Sequence, residues 1–300
     1  MKKFLVKPYR WAIVYSILLS GAVIYILLLT FVIPRPISVV KELPVDNNGV
    51  EKEYELQKDE PLVITENSYH DKNIDITIET LREKETTFYV ADIVIKDVNY
   101  LKTAFAKNTY GRNIKEISSL IAMEHKAIFA INGDYYGFRD SGYVLRNGVL
   151  YRDIPGDSPA LGINNEGSFI IIDNDESWLE NNTIWQVLSF GPLLIIDGQI
   201  VVDKTTKVPQ EWKSNPRTAI GQVSALHYIA IVSDGRTPES AGFSLLALAE
   251  EFAKRNCTIA YNLDGGGSST MYFNGNVINI PTDGKIKKER PQSDIIYVGY

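Results

Sequence analysis

An uncharged run of 23 residues near the N-terminus limits what this chain can fold into more than any other feature. The run extends from Trp11 to Ile33. As a helix rising ~1.5 Å per residue, it would cross the ~30 Å hydrocarbon core of a bilayer with some tilt. It is longer than the apolar part of a typical signal peptide, and Pro34-Arg35-Pro36 differs from a small-residue cleavage site. The sequence therefore predicts a transmembrane helix over residues 11–33, with a cleaved signal sequence as the alternative.

Basic residues are more numerous before this run than after it. Four of them precede it within residues 1–10, whereas Arg35 and Lys41 follow it closely. The cytoplasmic flanks of membrane helices carry an excess of Lys and Arg, which predicts that residues 1–10 form a cytoplasmic tail. The expected localisation is the cell membrane, with a single span and the rest of the chain outside the cytoplasm.

Residues 34–70 are predicted to form a charged stalk between the membrane and a domain that covers residues 71–300. Between Lys41 and Glu60, ten of the twenty residues are charged, and such a stretch cannot bury enough apolar surface to fold alone. The alternative for this segment is a tail that binds a partner. The rest of the chain is long enough for one large domain.

Charge and composition argue against several classes of protein. The net charge is −6, which disfavours a groove for nucleic acid. Cys257 is the single cysteine, so neither a disulfide within the chain nor a cysteine metal cluster can form. The three histidines are scattered and no His-Glu-x-x-His motif occurs, which argues against a zinc hydrolase.

Hydrophobic periodicity predicts an α+β fold with a mixed, largely antiparallel β-sheet core and a few flanking helices. Segments such as Ile74–Glu79 alternate apolar and polar residues, as strands with one buried face do. Helices are predicted from Ile114 to about His125, capped by Asn113, and from Leu245 to Arg255, capped by Ser244. Asn-Gly and Asp-Gly pairs between short apolar runs predict several hairpins.

The most unusual loop is Asn262-Leu-Asp-Gly-Gly-Gly-Ser-Ser-Thr270, which follows a short apolar run. Glycine has no Cβ, so this backbone can adopt positive φ and lie close to a ligand. Successive N–H groups in such a loop can form a nest that binds an anion. Asp-Gly and Gly-Gly are also ordinary turn residues, so a simple turn is the alternative. No Lys follows the glycines, as it would in a Walker A loop.

Apolar runs end in polar residues at three places along the chain. These are residues 132–134, 234–236 and 262–264, while Arg217 lies where a further apolar run begins. Sites are commonly built from loops that a rigid scaffold positions. If these strand ends meet, the sequence predicts one site with carboxylates, two guanidinium groups and the glycine loop.

Together these motifs resemble the phosphodiester glycosidase family. The resemblance extends from about residue 120 to residue 300, with the segments in the family's order. They are Ala130-Ile-Asn-Gly-Asp-Tyr-Tyr136, Gly191-Pro192, Pro216-Arg-Thr-Ala-Ile-Gly221, Asp234-Gly-Arg236 and Asn262–Thr270, with Glu289-Arg290-Pro291 as a weaker match. The family includes the lysosomal uncovering enzyme, which removes N-acetylglucosamine from its phosphodiester, and bacterial members related to exopolysaccharide biosynthesis.

The resemblance implies hydrolysis of a sugar C1–O–P linkage on the sugar side, in a carbohydrate phosphodiester of the N-acetylglucosamine type. Asp264 and Asp234 are then the expected base or nucleophile, and Arg217 and Arg236 are expected to hold the phosphoryl oxygens. The expected substrate-binding residues are Asn132, Asp134, Asn262, Gly265, Gly266, Gly267, Ser268 and Ser269.

Two other classes of function stay open from the sequence. In one, the same aspartates bind Ca²⁺ or Mg²⁺ in a metal-dependent phosphodiesterase that cuts the P–O bond; no other cofactor is expected. In the other, the loops form the site of a non-catalytic polysaccharide-binding or assembly protein.

Overall fold

The computed structural model describes residues 9–37, 41–42, 62–173, 178, 183–202 and 213–300. The α-helices in these ranges are α1 Arg10–Phe31, α2 Ser118–Glu124 and α3 Leu245–Lys254. The strands are β1 Arg35–Pro36, β2 Lys41–Glu42, β3 Val63–Ile64, β4 Ser68–His70, β5 Ile74–Glu83, β6 Thr86–Ile95, β7 Leu101–Phe105, β8 Gly111–Arg112, β9 Phe129–Asn132, β10 Val144–Arg146, β11 Val149–Arg152, β12 Ala160–Asn164, β13 Phe169–Ile172, β14 Ile184–Leu188, β15 Leu193–Ile196, β16 Gln199–Ile200, β17 Arg217–Ser224, β18 His227–Ser233, β19 Ile259–Asn262, β20 Met271–Phe273, β21 Asn276–Val277, β22 Thr282–Asp283, β23 Ile286–Lys287 and β24 Asp294–Val298.

Three large sheets share one apolar core. Their strand orders are β16-β15-β19-β17-β18-β6-β5-β4-β3, β13-β12-β14-β10-β11-β2 and β21-β20-β9-β24-β7. One buried cluster joins all three, through side chains such as Ile76 and Val232 of the first, Leu161 of the second and Ile131 of the third. Burying a side chain of this kind contributes about 1.5–3 kcal/mol. The strand pairs in these sheets are antiparallel, which confirms the predicted fold class.

The burial pattern of β5 follows directly from its sequence. Ile74, Ile76 and Ile78 are buried, whereas the residues between them are exposed. Successive side chains of a strand point to opposite faces of the sheet, so an isoleucine at every second position makes one face apolar. The predicted strand is confirmed, and it continues to Glu83.

Helix α3 covers the other face of the nine-stranded sheet. Leu248 and Phe252 lie in a second apolar cluster with Ile229 and Ile231 of β18. The side-chain oxygen of Ser244 accepts a hydrogen bond from the backbone N–H of residue 247 at 3.1 Å. This bond satisfies an otherwise unpaired donor of the first helical turn, and it confirms the predicted cap.

Helix α2 begins four residues later than its sequence predicts. Ser118 is its first residue and Ile117 is the N-cap. Asn113 is not a cap of this helix, because it has a φ of 58° and its side chain points elsewhere. Its Nδ2 donates to the carbonyl oxygens of Thr30 and Ile33, both at 3.1 Å. Asn113 therefore binds carbonyls at the end of α1, which have no partner inside that helix.

Helix α1 occupies the predicted transmembrane segment. It is long and apolar enough to cross a membrane and none of its residues is buried, although a signal sequence would have the same properties. After it, β1 pairs with β8, so that Pro36 lies opposite Gly111. Strands β3 and β4 belong to the nine-stranded sheet. The predicted stalk over 34–70 thus joins the domain at both ends, and residues 38–40 and 43–61 of it lie outside the described residues.

A buried ion cluster links the five-stranded and six-stranded sheets. Nη2 of Arg146 on β10 lies 2.9 Å from Oδ1 of Asp134 and 2.9 Å from Oδ2 of Asp294 on β24. The backbone N–H of Ser189 also donates to Asp134, at 2.7 Å. Burial is the main cause that raises the pKa of Asp294 to about 7, and the negative charge of Asp134 is the second cause. Asp134, which the sequence predicts as a substrate-binding residue, is therefore a fully buried partner of Arg146.

We expect Arg146→Met to destabilise the fold strongly, because it leaves two buried carboxyl groups without their cation. Removing one partner of a buried ion pair costs about 3–5 kcal/mol. The free energy of unfolding can be measured by chemical denaturation of the whole chain in detergent. The matched control is Lys84→Met, which removes an exposed ion pair with Glu250 and should cost less than about 1 kcal/mol. Equal losses for the two variants would contradict the prediction.

Candidate active site

The glycine loop crosses from the nine-stranded sheet to the five-stranded sheet. It leaves β19 at Asn262 and enters β20 at Met271. Strand β17 begins at the same edge where β18 and β19 end, because it is antiparallel to both. The end of β9 also lies there, and the N–H of Asp264 points at the carbonyl oxygen of Gly133, 3.4 Å away. The strand ends that carry the predicted site residues therefore lie together.

Asn132 holds these strand ends in place. Its Nδ2 donates to the backbone oxygen of Asp264 at 2.7 Å. Its Oδ1 accepts from Oγ1 of Thr218 at 2.8 Å and from the N–H of Thr270 at 3.2 Å. The side chain is fully buried, so Asn132 fixes both ends of the glycine loop and does not itself face the solvent.

Two of the glycines allow arginines to lie against the loop. A Cβ on Gly266 would be 2.7 Å from Nη2 of Arg236, and a Cβ on Gly267 would be 2.5 Å from Nη2 of Arg290. Gly266 also has a φ of 64°, which favours glycine. A larger residue at either position would push the guanidinium group away. At Gly265 a Cβ would instead meet the carbonyl oxygen of Pro216, at 3.0 Å.

Asp264 occupies the centre of this arrangement. Its Oδ1 accepts the N–H of Gly265 at 2.9 Å. Burial raises the pKa of Asp264 to about 6, and Ser268, Arg290, the N–H of Gly265 and Arg139 act against that rise. Ser268 lies beside the carboxyl group, and among the residues that the structure describes the buried Oδ2 has no hydrogen-bond partner of regular geometry. A carboxyl group with a pKa of about 6 is suited to proton transfer near neutral pH.

Two of the predicted residues serve mainly to hold the backbone. The guanidinium of Arg217 donates to the carbonyl oxygens of Phe243 and Lys213, both at 3.1 Å. Asp234 is buried, and its Oδ1 accepts the N–H of Ile280 at 2.7 Å. Burial raises the pKa of Asp234, and its hydrogen bonds oppose that effect. The geometry therefore favours Arg236 over Arg217, and Asp264 over Asp234, as groups available to a ligand.

Asn262 and the serines complete the wall of the loop. Nδ2 of Asn262 donates to the carbonyl oxygen of Gly191 at 2.7 Å. The hydroxyls of Ser269 and Thr270 are buried, and they find no hydrogen-bond partner among the described residues. In the part of the chain that the structure describes, no group of three or more His, Cys, Asp or Glu side chains is arranged to hold a metal ion.

The sequence does not predict Arg139 and Tyr135 as residues of this site, and it indicates Arg290 only through a weak match. Arg139 lies over the ring of Phe190, 4.5 Å from its centroid, and both Arg139 and Asp264 influence the pKa of Tyr135, which burial raises. Tyr135 lies within the Ala130–Tyr136 segment that carries the resemblance, but the resemblance implies no role for it, and Arg139 belongs to no recognised pattern. Arg290 had a signal, the weak Glu289-Arg290-Pro291 match.

The fold is an antiparallel β-sheet fold, and its glycine loop carries one carboxyl group close to arginines from other segments. A site of this kind suits an anionic ligand. The family model described as NAGPA, phosphodiester glycosidase, matches residues 125–299. This chain belongs to the phosphodiester glycosidase family.

Named relatives support the same family. The chain is 28% identical over 202 residues to the SPbeta prophage-derived uncharacterized protein YomE of Bacillus subtilis, covering 64% of this chain and 31% of that protein. It is 31% identical over 137 residues to the human N-acetylglucosamine-1-phosphodiester alpha-N-acetylglucosaminidase, covering 41% and 26% respectively. The chain thus spans about a third or less of the length of these relatives.

Solved structures show the same fold. The catalytic domain of zebrafish N-acetylglucosamine-1-phosphodiester alpha-N-acetylglucosaminidase, auto-inhibited by its pro-peptide, superposes with a TM-score of 0.63 at 22% identity, over 78% of this chain and 86% of that one. A hypothetical protein from Synechocystis gives a TM-score of 0.59 at 15% identity, over 76% and 62%.

We expect Asp264→Asn to stabilise the fold at neutral pH. The folded-state pKa of about 6 lies above the ordinary value of 3.8, so the folded protein retains this proton more tightly than the unfolded chain. The stability that results at low pH is lost as the pH rises through about 6. Two pKa units correspond to about 2–3 kcal/mol.

Chemical denaturation at several pH values tests this expectation. The variant should be more stable than the parent at pH 7–8, and the difference should shrink toward zero below pH 4, where Asp264 is protonated in both states. A difference that does not depend on pH would contradict the assigned ionisation.

Proposed function

We propose that this protein is a membrane-anchored, extracytoplasmic hydrolase that cleaves the sugar C1–O bond of glycosyl-1-phosphodiesters of the N-acetylglucosamine type, in polysaccharide at or near the cell surface. Family membership supports a glycosyl phosphodiester as the substrate. The single observation that carries the proposal is Asp264, a carboxyl group at the start of the glycine run whose pKa burial raises to about 6, with Arg290 and Arg139 among the charges that act against that rise.

The leaving group explains why one carboxyl group suffices. A glycosidase normally needs an acid to protonate the leaving oxygen and a second carboxylate as base or nucleophile. In a glycosyl-1-phosphodiester the leaving group is a phosphate monoester, whose second pKa is about 6, so it departs as a stable anion. Arg290 and Arg139 would bind the phosphoryl oxygens and offset the charge that grows on them, with Arg236 and the N–H groups of residues 265–268 as further donors.

Asp264 would act as the base that takes a proton from the attacking water. The water oxygen bonds to C1, the C1–O bond breaks, and its electron pair leaves with the phosphate monoester. Asp234 is an unsuitable second carboxylate because its oxygens accept bonds from Tyr89, Asn279 and Ile280. Direct displacement by water, with inversion at C1, fits a site with a single available carboxylate.

The bond that is cleaved can be identified with H₂¹⁸O. We expect ¹⁸O in the released sugar and none in the phosphate monoester when the chain hydrolyses N-acetylglucosaminyl phosphodiesters. Mass spectrometry of both products makes the distinction. Incorporation into the phosphate would show attack at phosphorus, as a metal-dependent phosphodiesterase would make it, and would overturn the proposal.

We expect Asp264→Asn to lower kcat by about 10²–10⁴-fold, the usual contribution of a catalytic base. In the parent protein kcat/KM should rise with pH and reach half its plateau near pH 6, because the base must be ionised. Asp75→Asn is the matched control, since Asp75 is an exposed aspartate on β5 whose side chain lies 3.2 Å from Nδ1 of His70, outside the glycine loop. Equal losses for the two variants would remove Asp264 from the chemistry.

We expect Arg139→Met and Arg290→Met each to lower kcat by about 10²–10³-fold, as the loss of one donor to a developing anion does. Arg255→Met is the control, because Arg255 pairs with Glu251 at the end of α3, before β19, whereas the glycine loop follows β19. Steady-state kinetics with a glycosyl-1-phosphodiester measure the effect. Unchanged turnover by the first two variants would show that other groups bind the phosphoryl oxygens.

A further inference from the structure

A pocket of about 240 Å³ begins where α1 meets the domain. Ile37 and Ile154 contribute to its lining, together with Tyr110, Tyr151 and Arg112. The aromatic side is tightly packed, with the rings of Tyr110 and Tyr151 4.9 Å apart. Ile37 is 44% exposed and Ile154 is 49% exposed. The pocket therefore joins exposed aliphatic side chains to an aromatic wall.

The contacts of α1 determine where this pocket lies. Asn113 binds the carbonyl oxygens of Thr30 and Ile33 at the end of the helix. Three residues later Pro36 pairs with Gly111, and the N–H of Ile37 donates to the carbonyl oxygen of Tyr110 at 3.1 Å. An extended chain advances at most ~3.6 Å per residue, so Ile37 is within about 22 Å of the last residue of α1. If α1 spans the bilayer, the pocket lies beside the membrane surface.

The pocket shares Arg139 with an adjoining cleft that leads toward the glycine loop. Arg139 lines this pocket and also the cleft of about 420 Å³, which includes Phe190 and Ser158. Its guanidinium lies over the Phe190 ring, and the carbonyl oxygen of the next residue, Gly191, accepts a hydrogen bond from Asn262 at the start of the glycine loop. A ligand whose phosphoryl group is bound by Arg139 would thus have one side toward Asp264 and the other toward the aliphatic and aromatic pocket.

We propose that the substrate is a membrane lipid whose phosphoryl group is esterified to C1 of the sugar. The proposal rests on the proposed function and names the aglycone. Arg139 would bind the phosphoryl group, and the first carbons of the lipid chain would lie against Tyr151, Ile154 and Ile37. The rest of the chain would remain in the bilayer that holds α1. Hydrolysis adds water across the C1–O bond, so the free sugar departs and the lipid phosphate monoester stays in the membrane.

A pair of substrates that differ only in the aglycone tests this proposal. They are N-acetylglucosamine 1-(hexadecyl phosphate) and N-acetylglucosamine 1-(methyl phosphate), offered to the full chain in phosphatidylcholine nanodiscs. We expect kcat/KM to be at least about tenfold higher for the hexadecyl compound, since a shared membrane raises its effective concentration and the pocket binds its chain.

Variants of the pocket distinguish binding of the lipid chain in the pocket from the effect of a membrane shared by enzyme and substrate. Ile37→Asp places a charge in the pocket and should lower the ratio of the two kcat/KM values at least about fivefold. Ile154→Asp should do the same and covers the case in which the first variant folds poorly. Ile64→Asp is the matched control, because Ile64 is also 44% exposed but lies on β3, away from the pocket. The control should keep the ratio of the parent protein.

Each outcome decides between the two proposals. Hydrolysis of both compounds with equal kcat/KM would overturn the lipid proposal and leave the proposed function intact. An equal ratio in Ile37→Asp, Ile154→Asp and Ile64→Asp would do the same, because membrane proximity alone would then explain the preference. Hydrolysis of neither compound would overturn the proposed function, and the lipid proposal with it.

Discussion

The amide of Asn132 is the interaction on which the candidate site depends. One side chain bonds to the backbone of Asp264, to Thr218 at the start of β17 and to the backbone of Thr270. These groups come from both sheets that meet at the glycine loop, so the amide fixes the seam between the sheets as well as the loop. An amide is suited to this position because it donates and accepts at once without carrying a charge. A carboxylate in its place would face the carbonyl oxygen of Asp264 without a proton to share.

The protein buries carboxyl groups in two different ways. Asp294 is buried with Arg146 as its partner, and the cation offsets part of the loss of hydration. The same loss of hydration raises the pKa of Asp264, but the arginines act on it only through their charge, and Oδ2 has no hydrogen-bond partner within the described part of the chain. The first arrangement holds two sheets together. The second keeps a carboxyl group in a state that costs stability when it ionises, and such a cost is common where a side chain is kept for chemistry.

Much of the fold could be predicted from the sequence because the relevant signals are local. The alternation in Ile74–Glu79 requires only that one face of a strand be buried, and the cap at Ser244 requires only its own helix. Asn113 shows the limit of such reasoning. Its sequence position is typical of a helix cap, yet its amide binds α1, some 80 residues away in the chain. Nothing local distinguishes the two partners.

The sequence indicates where the candidate site lies, but not which of its side chains remain available to a ligand. Strand ends rich in Asn, Asp and Arg indicated where the loops would meet, because antiparallel neighbours bring a start and two ends to one edge. Which aspartate is available depends on which N–H groups point at it, and that is settled by distant segments. The N–H of Ile280 donates a hydrogen bond to Asp234, and the N–H of Ser189 donates one to Asp134.

The same reasoning explains why the arginines were hard to assign. Arg217 stands at the start of an apolar strand, and this position predicts a residue of the site. Its guanidinium instead donates hydrogen bonds to the backbone at residues 213 and 243. Arg139 lies in a turn after Tyr135, which has a φ of 68°, and no periodic pattern extends to it. The turn directs the chain so that Arg139 lies between Phe190 and the pocket near α1. A positive φ at a tyrosine is uncommon, and here it occurs four residues before Arg139, which lines the pocket near α1.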